Sequence, residues 1–240
     1  MRPPDPVFAD PRLAVLYDAL DGDRDDLTAY VGIVEEVGAR TVVDVGCGTG
    51  CLAVLLAERG VRVIGVDPAA ASLEVARAKP YADRVDWIHG DATDLPDAVS
   101  GRADLALMTG NVAQVFVDDE DWSLTLDAVR RSLRAGGWLA FETRRPQRRD
   151  WETWEVAPTQ VGELTVSRTV TDVDLPLVTF ASTMVVDQVP ITSTSTLRFR
   201  DREELERDLS AHGFEVVDLR EAPDRPGKEM VLLCRRREAE

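Results

Sequence analysis

The sequence contains little cysteine and histidine, and fewer basic than acidic side chains. Its 240 residues include three cysteines and two histidines, and 28 Lys and Arg against 44 Asp and Glu give a net charge of −16. Three cysteines in a chain of this length do not make a disulfide framework, and His89 and His212 with their nearby acids form no convincing metal set. A protein that grips nucleic acid needs clustered basic residues, so the charge balance counts against such a partner.

Long apolar runs are missing as well. No stretch approaches the length that spans a bilayer, and the first residues, MRPPDPVFAD, lack the apolar core of a secretory signal. We therefore expect a cytoplasmic protein with no membrane segment and no metal. The chain is long enough for a large α/β unit, and we expect residues 1–240 to form a single domain.

The hydrophobic pattern changes along the chain. Residues 1–40 carry apolar side chains at helical spacing, which predicts N-terminal helices. From residue 41 to residue 143, short β-branched runs alternate with helical segments, which predicts an α/β fold with a doubly wound, mostly parallel, Rossmann-like sheet. The predicted strands of this cofactor-binding core are TVVDV, VRVIGV, RVDWIHG, ADLALM and WLAFET.

The remaining residues follow two further patterns. Between residues 144 and 200, Thr, Val and Ser alternate in LTVSRTV, LVTFASTMVV and TSTSTLRFR, which predicts antiparallel strands with one solvated face. We interpret them as an antiparallel β insertion after strand five that forms a substrate lid. Residues 201–240 predict a last helix and a terminal hairpin, which completes a seven-stranded sheet.

A glycine-rich stretch, DVGCGTG, follows the first predicted strand. Gly46, Gly48 and Gly50 have the spacing G-x-G-x-G, whereas a dinucleotide loop has G-x-G-x-x-G. Asp44, two residues upstream, would repel a pyrophosphate unless it points away, and it would suit a ligand that carries an ammonium group. The alternative is an inward-facing acid that backbone amides satisfy.

Asp67 ends the second predicted strand, where an acid holds the ribose hydroxyls in nucleotide-binding α/β folds. A carboxylate can accept two hydroxyl hydrogens at once. The alternative is a surface acid in the turn before Pro68. The glycine spacing and Asp44 favour a cationic nucleoside over a dinucleotide, and Asp67 supplies the acid that would hold its ribose.

Four stretches together resemble the motifs of the class I S-adenosylmethionine-dependent methyltransferases. VVDVGCGTG is similar to the family's first motif, VIGVDPAA to the second, HGDATDLP to the third, and LMTGNVAQVF to the end of its fourth strand. The resemblance implies S-adenosylmethionine as the cofactor, with Asp91 at the adenine amino group and Ala92 beside the ring. The cofactor-binding residues that it implies are Asp44, Gly46, Cys47, Gly48, Asp67, Pro68, Asp91, Ala92, Thr109 and Asn111.

Further candidate residues surround the expected substrate position, over the carboxyl ends of strands four and five. Glu142, Arg144 and Trp154 are the predicted substrate contacts. Arg144 could instead be one of several solvated arginines, and Trp154 could pack the insertion. Asn111 could contact the methionine portion of the cofactor or the substrate, or serve a turn. Tyr17 could close over the cofactor or pack in the core.

Methyl transfer from a sulfonium is an in-line displacement, which needs alignment, desolvation and, for some nucleophiles, removal of a proton. No side chain stands out as the catalytic base. The chain has TGNV where enzymes that methylate base amino groups have an NPPY-type motif, so it resembles those enzymes poorly. We predict methyl transfer to a small-molecule N or O nucleophile by a monomer or homodimer. The alternatives are a non-catalytic S-adenosylmethionine-binding homologue and, disfavoured by the glycine spacing, an NAD-dependent oxidoreductase.

Overall fold

The computed structural model describes residues 3–22 and 26–238, and its larger unit is a seven-stranded sheet. The strands of this sheet are β1 (Thr41–Val45), β2 (Arg62–Asp67), β3 (Val85–His89), β4 (Ala103–Met108), β5 (Leu133–Arg144), β10 (Phe214–Glu221) and β11 (Glu229–Arg236). They lie in the order β10-β11-β5-β4-β1-β2-β3. The five neighbouring strands β5, β4, β1, β2 and β3 pair in parallel, whereas β11 is antiparallel to both β5 and β10. The predicted fold class is confirmed.

Helices precede the sheet and connect its strands. They are α1 (Pro6–Ala9), α2 (Pro11–Asp21), α3 (Asp26–Glu36), α4 (Cys51–Glu58), α5 (Ala70–Arg77), α6 (Asp119–Ser132) and α7 (Arg202–Ala211). α6 carries acids in its first turn and arginines in its last, which complements the helix dipole. It ends at Ser132, because Leu133 is already extended and begins β5. Within the described ranges, no helix combines the length and the apolar character needed to cross a membrane.

The parallel strands are apolar on both faces, and each face packs against helices. Val42, Val63 and Leu105 join residues of α3 and α4 on one side of the sheet. Ile64 and Ala106 join residues of α6 and α7 on the other side. Strands that are buried on both faces need nearly continuous apolar runs, which is the pattern of the sequence here. The loops at the carboxyl ends of the strands form the edge where open α/β sheets bind ligands.

A second, antiparallel sheet lies between β5 and α7 in the chain. Its strands, in spatial order, are β6 (Val156–Val161), β7 (Leu164–Asp174), β8 (Leu177–Val186) and β9 (Val189–Arg198). The sequence pattern predicts only the last three. β6 escapes it because all of its residues are exposed and it contains Pro158, so it is an edge strand without the alternation of buried and exposed side chains.

One face of this second sheet packs against the rest of the chain at both of its ends. At one end Leu164 and Val186 pack with Leu13 of α2. At the other end Val178 packs with Trp151, which follows β5 in the chain. The N-terminal helices and the segment after β5 therefore supply the apolar surface that a sheet this small needs to become stable.

Candidate active site

The loop after β1 is folded by three glycines in the left-handed region of backbone space. Gly46, Gly48 and Gly50 have φ angles of 72°, 54° and 77°. Residues with a Cβ adopt such angles only with strain. The backbone amides of Gly46 and Cys47 donate to the carbonyl of Val66 at 2.8 and 3.2 Å, which ties the loop to the end of β2.

Two of these glycines are required by packing, and the third leaves open space. A Cβ on Gly46 would lie 2.5 Å from Cγ2 of Val112, and a Cβ on Gly50 would lie 2.5 Å from the ring of Trp87. Among the described residues outside the loop itself, no atom lies within 4 Å of the Cβ position of Gly48. The backbone at Gly48 is therefore the part of the loop that a ligand can approach closely.

Asp67 ends β2 beside this loop, and both of its carboxylate oxygens accept backbone hydrogen bonds. The amide of Gly48 donates to Oδ2 and the amide of Ala69 to Oδ1, each at 2.8 Å. Burial raises the pKa of Asp67, although the two amides oppose that shift. Each oxygen keeps a further lone pair, so the carboxylate retains the capacity to accept ribose hydroxyls. The carbonyl of Pro68 lies 3.0 Å from Nε2 of His89, at the exposed end of β3.

Asp44 lies within β1 and is only 1% exposed. Burial, together with the charges of Asp44 and Asp67, raises the pKa of the Cys47 thiol. The thiol therefore stays protonated, and Cys47 is a small neutral side chain in the loop. It is not a nucleophile, because nucleophilic attack requires a thiolate. Two acids close enough to act on this thiol favour a cationic ligand over a phosphate.

Asp91 and Ala92 follow β3, which is the neighbour of β2. Asp91 caps a short helical turn: its Oδ1 accepts the amide of Thr93 at 2.8 Å, and Asp94 accepts the amide of Asp91 at 3.0 Å. Ala92 is fully buried. Because the carboxyl ends of parallel strands meet at one edge, Asp91 lies on the same edge of the sheet as Asp67 and the glycine loop.

Residues 109–111, after β4, are held in place by a buried glutamate. Oε1 of Glu142 accepts the amides of Gly110 at 2.6 Å and Asn111 at 3.2 Å, and its Oε2 accepts the hydroxyl of Tyr30. Burial raises the pKa of Glu142. Burial and the charge of Glu142 raise the pKa of Tyr30, which therefore stays a hydroxyl donor. Thr109 is half-buried at the end of the strand. Both oxygens of Glu142 have partners within the chain, and its contact with a substrate stays a prediction.

A second buried glutamate, Glu229 at the start of β11, holds the side chain of Asn111. Nδ2 of Asn111 donates to Oε1 of Glu229 at 3.0 Å, whereas its Oδ1 has no hydrogen-bond partner among residues 3–22 and 26–238. Nη1 of Arg225 donates to the same oxygen at 2.8 Å, and Nε of Arg144 lies 3.5 Å from it. Asn111 also has a φ of 62°, so the residue both forms the turn and presents an amide at the strand end.

Arg144 and Trp154 lie together, as two predicted substrate residues should. The guanidinium carbon of Arg144 is 5.3 Å from the ring centroid of Trp154, whose ring lies 5.3 Å from that of Phe180. Burial lowers the pKa of Arg144. Nη1 of Arg144 donates to Gln114 at 2.9 Å, and Nε2 of Gln114 donates to the carbonyl of Arg198 at 3.3 Å. The fully buried Gln114 thus joins the residue that ends β5 to the residue that ends β9.

The N-terminal helix α2 contacts the glycine loop. Oδ1 of Asp18 accepts the hydroxyl of Thr49, and Oδ2 lies 2.5 Å from Nζ of Lys79. Burial raises the pKa of Asp18, but hydrogen bonds from Lys79 and Thr49 outweigh it and the pKa is lowered. Tyr17, predicted to close over the cofactor, is half-buried beside Asp18, and its ring lies edge-on 5.7 Å from that of Phe8. Its contact with the cofactor stays a prediction.

The sequence patterns do not mark several residues that shape this edge of the sheet, namely Tyr30, Asp18, Gln114 and Glu229. Only Glu229 leaves a signal, as an acid that directly precedes the apolar run MVLLC. His212 caps the end of α7, and its ring bonds Asp127 and Ser123 of α6. In the part of the chain that the structure describes, no three His, Cys, Asp or Glu side chains form a group that could hold a metal.

Residues 42–137 match the family model described as a methyltransferase domain. The cypemycin N-terminal methyltransferase from Streptomyces sp is 33% identical over 111 residues, which are 46% of this chain and 44% of that protein. The chain spans about half the length of the curated relatives it matches.

Solved structures match over nearly the whole chain. The CcbJ methyltransferase from Streptomyces caelestis superposes with a TM-score of 0.79 at 19% identity and covers 97% of this chain and 98% of its own. CalS10, an amino pentose methyltransferase from Micromonospora echinaspora solved with S-adenosylmethionine bound, gives a TM-score of 0.72 at 20% identity over 92% and 96%. These likenesses show the fold.

Fold and strand-end geometry together define an α/β protein whose glycine loop, Asp67 and Asp91 lie along one edge of the sheet. Residues 42–137 thus match a methyltransferase domain, and the chain has the fold of solved S-adenosylmethionine-dependent methyltransferases.

Proposed function

We propose that this chain transfers a methyl group from S-adenosylmethionine to a small-molecule N or O nucleophile. The observation that carries the proposal is the side-by-side arrangement of the glycine loop, Asp67 and Asp91 along one edge of the sheet. They follow β1, β2 and β3, which are adjacent strands. Such an arrangement offers a nucleoside three successive contacts along its length.

The residues present fit this cofactor. The open backbone at Gly48 admits the nucleoside, Asp67 would hold the ribose and Asp91 the adenine amino group. Asp44 suits the ammonium group better than it suits a phosphate. When bound, the cofactor supplies an electrophilic methyl group on a sulfonium. The side chains around it align the nucleophile and exclude water.

The acceptor is proposed to bind between residues 109–111 and a lid formed by residues 144–200. Arg144 and Trp154 support this position, because they lie where the chain passes from the main sheet to the second sheet. Two similar proteins are named as an N-terminal methyltransferase and an amino pentose methyltransferase. Nitrogen is therefore the first methyl-accepting atom to test. The net charge of −16 favours a small-molecule acceptor over a nucleic acid.

Calorimetric titration with S-adenosylhomocysteine and, separately, with NAD tests the cofactor. We expect saturable binding of S-adenosylhomocysteine and no binding of NAD. If the protein binds NAD and does not bind S-adenosylhomocysteine, the proposal is contradicted and the oxidoreductase alternative is favoured.

Transfer of a labelled methyl group to a metabolite extract tests the reaction. We expect a labelled product that requires the protein and that S-adenosylhomocysteine suppresses. If the protein binds S-adenosylhomocysteine but forms no labelled product in extracts of any polarity, the non-catalytic alternative is favoured.

A further inference from the structure

The inner face of the second sheet is the face that carries Leu164 and Val178, and it has a polar middle between two apolar ends. Arg168 of β7, Ser182 of β8 and Ser193 of β9 form one row across its centre. Side chains of one row on one face contact each other across the strands. This row interrupts the apolar surface that the rest of the face provides.

Arg168 is a half-buried cation that forms no ion pair with any acid in residues 3–22 or 26–238. Its Nε donates to Oγ of Ser182 at 3.2 Å, and its guanidinium carbon lies 5.0 Å from the ring centroid of Phe180. Burial lowers the pKa of Arg168, and among the described residues only the phenol of Tyr17 opposes that shift. A partly buried charge without a counter-ion costs folding free energy.

Arg144 and Arg198, two other partly buried arginines near the proposed site, have acids beside them. Arg144 lies 3.5 Å from Glu229, and Arg198 lies 2.7 Å from Glu204. Arg168 has no carboxylate within 4 Å among the described residues. Among the residues that the structure describes, Arg144 and Arg198 are thus paired with carboxylates and Arg168 is not.

A hydroxyl in the same row also lacks a partner. Ser193 is 1% exposed, and its Oγ makes no hydrogen bond to any residue that the structure describes. Ser195, one register step away, donates to Asp5. Ser195 belongs to β9, and β8 separates this strand from the strand of Arg168 by about 10 Å. The polar centre thus has unused hydrogen-bonding capacity around a single positive charge.

Arg168 lies between the two halves of the proposed active site. Its neighbour Tyr17 precedes Asp18, which bonds Thr49 in the glycine loop. Its other neighbour, Phe180, packs on Trp154. The guanidinium is therefore placed between the helix that contacts the cofactor loop and the aromatic group at the end of β5.

We propose that Arg168 binds an anionic oxygen group, a carboxylate or a phosphate, on the methyl acceptor, while Phe180 packs against the adjoining part of that molecule. A guanidinium presents two parallel N–H donors that match either group. The proposal rests on the proposed function and adds to it the chemical class of the acceptor.

The first experiment uses benzoate and its neutral isostere benzamide as probes. Each is titrated by calorimetry into protein saturated with S-adenosylhomocysteine. We expect benzoate to bind and benzamide to bind at least about tenfold more weakly, as for a hydrogen-bonded charge pair. Arg168→Gln should lose this preference and Arg168→Lys should keep part of it. Arg202→Gln, which removes an exposed arginine from α7, should behave like the unaltered protein. Equal affinity of Arg168→Gln for benzoate, or no benzoate binding by any variant, would overturn the proposal.

Stability provides a readout that separates a binding role from a structural one. Removing an uncompensated charge should leave the urea midpoint of Arg168→Gln equal to or above that of Arg202→Gln. A lower midpoint would show that Arg168 holds the sheet together and would overturn the proposal.

The natural acceptor gives the second test. A metabolite extract is divided on an anion exchanger at neutral pH, and each fraction is assayed for labelled methyl transfer. The acceptor should be retained by the exchanger. Arg168→Gln should lose at least about nine-tenths of the methyl transfer, while its affinity for S-adenosylhomocysteine stays unchanged. Transfer to an unretained acceptor would overturn the inference and leave the proposed function intact. Absence of cofactor binding would instead overturn the proposed function.

Discussion

Oδ2 of Asp67 accepts a hydrogen bond from the backbone amide of Gly48 at 2.8 Å. The acid predicted to hold the ribose therefore also shapes the loop that the nucleoside approaches. The two roles use different lone pairs of one carboxylate, so they are compatible. A change at Asp67 should consequently alter cofactor affinity and loop order together.

Asp67→Ala should weaken S-adenosylhomocysteine binding by about 1–3 kcal/mol, or roughly 5- to 150-fold, because it removes hydrogen bonds to a charged group. Asp67→Asn should lie between this variant and the unaltered protein. Asp86→Asn, at an exposed position of β3, serves as the control in the same calorimetric titration. Unchanged affinity in Asp67→Ala would mean that another acid holds the ribose.

The raised pKa of Asp67 gives a pH dependence of cofactor binding. Ribose hydroxyls donate to the ionised carboxylate, so affinity should fall as the pH falls through a pKa that lies above the ordinary value of 3.8. The effect on unliganded stability has the opposite sign. Burial of this carboxylate disfavours its ionised form, so its contribution to stability falls as the pH rises from the unfolded to the folded pKa. Titration over a pH series should show the affinity change in the unaltered protein and not in Asp67→Asn.

Gly46→Ala should destabilise the protein more than Gly60→Ala does. Both glycines have positive φ, which costs an alanine about 1–2 kcal/mol. At Gly46 the new Cβ would also lie 2.5 Å from Val112, and such overpacking adds about 1–3 kcal/mol. No atom lies within 4 Å of the Cβ position at Gly60 among the described residues. Urea unfolding of both variants measures the difference, and equal midpoints would contradict the packing argument.

Tyr30→Phe should reduce stability by about 1–3 kcal/mol, because Glu142 loses a donor in a buried position. The exposed Tyr81→Phe is the matched control and should unfold like the unaltered protein. Glu142 also holds the amides of Gly110 and Asn111. In Tyr30→Phe the methyl-transfer rate should therefore fall more than the affinity for S-adenosylhomocysteine does. A variant with full stability would show that the hydroxyl is not the donor that Glu142 needs.

Asp18→Asn should loosen α2 from the glycine loop. The loss of stability should stay below about 1 kcal/mol, because the pair with Lys79 is partly exposed. The pKa of Asp18 is lowered in the fold, so its contribution is present above the unfolded pKa and is lost as the pH falls through the folded pKa. Hydrogen exchange of the α2 amides should quicken in the variant, and unchanged exchange would show that Leu13 and its neighbours hold the helix without this acid.

Much of the main sheet can be predicted from sequence because its signals are local. A buried parallel strand needs an apolar run, and the loop after β1 needs glycines, so both leave continuous patterns. Asp67 and Asp91 follow directly, since the end of each strand fixes their place on one edge.

Other parts of the site depend on contacts that are remote in sequence. Tyr30 meets Glu142 across the sheet, and Asn111 meets Glu229 near the end of the chain. Such pairs form only after the strands have assembled, so no short window of residues marks them. β6 is missed for a different reason, since its exposed residues carry no hydrophobic period.

Gln114 gives the second sheet one further property. Its side chain bonds Arg144, where the chain leaves β5, and the carbonyl of Arg198, where the chain leaves β9. The two ends of the intervening segment are thus pinned at a single point, like the ends of a closed loop. We therefore expect that a segment of different length or sequence, grafted between these two residues, would leave the register of the main sheet unchanged. If the proposed function holds, exchange of this segment between relatives is expected to change the acceptor and to leave the loop after β1 in place.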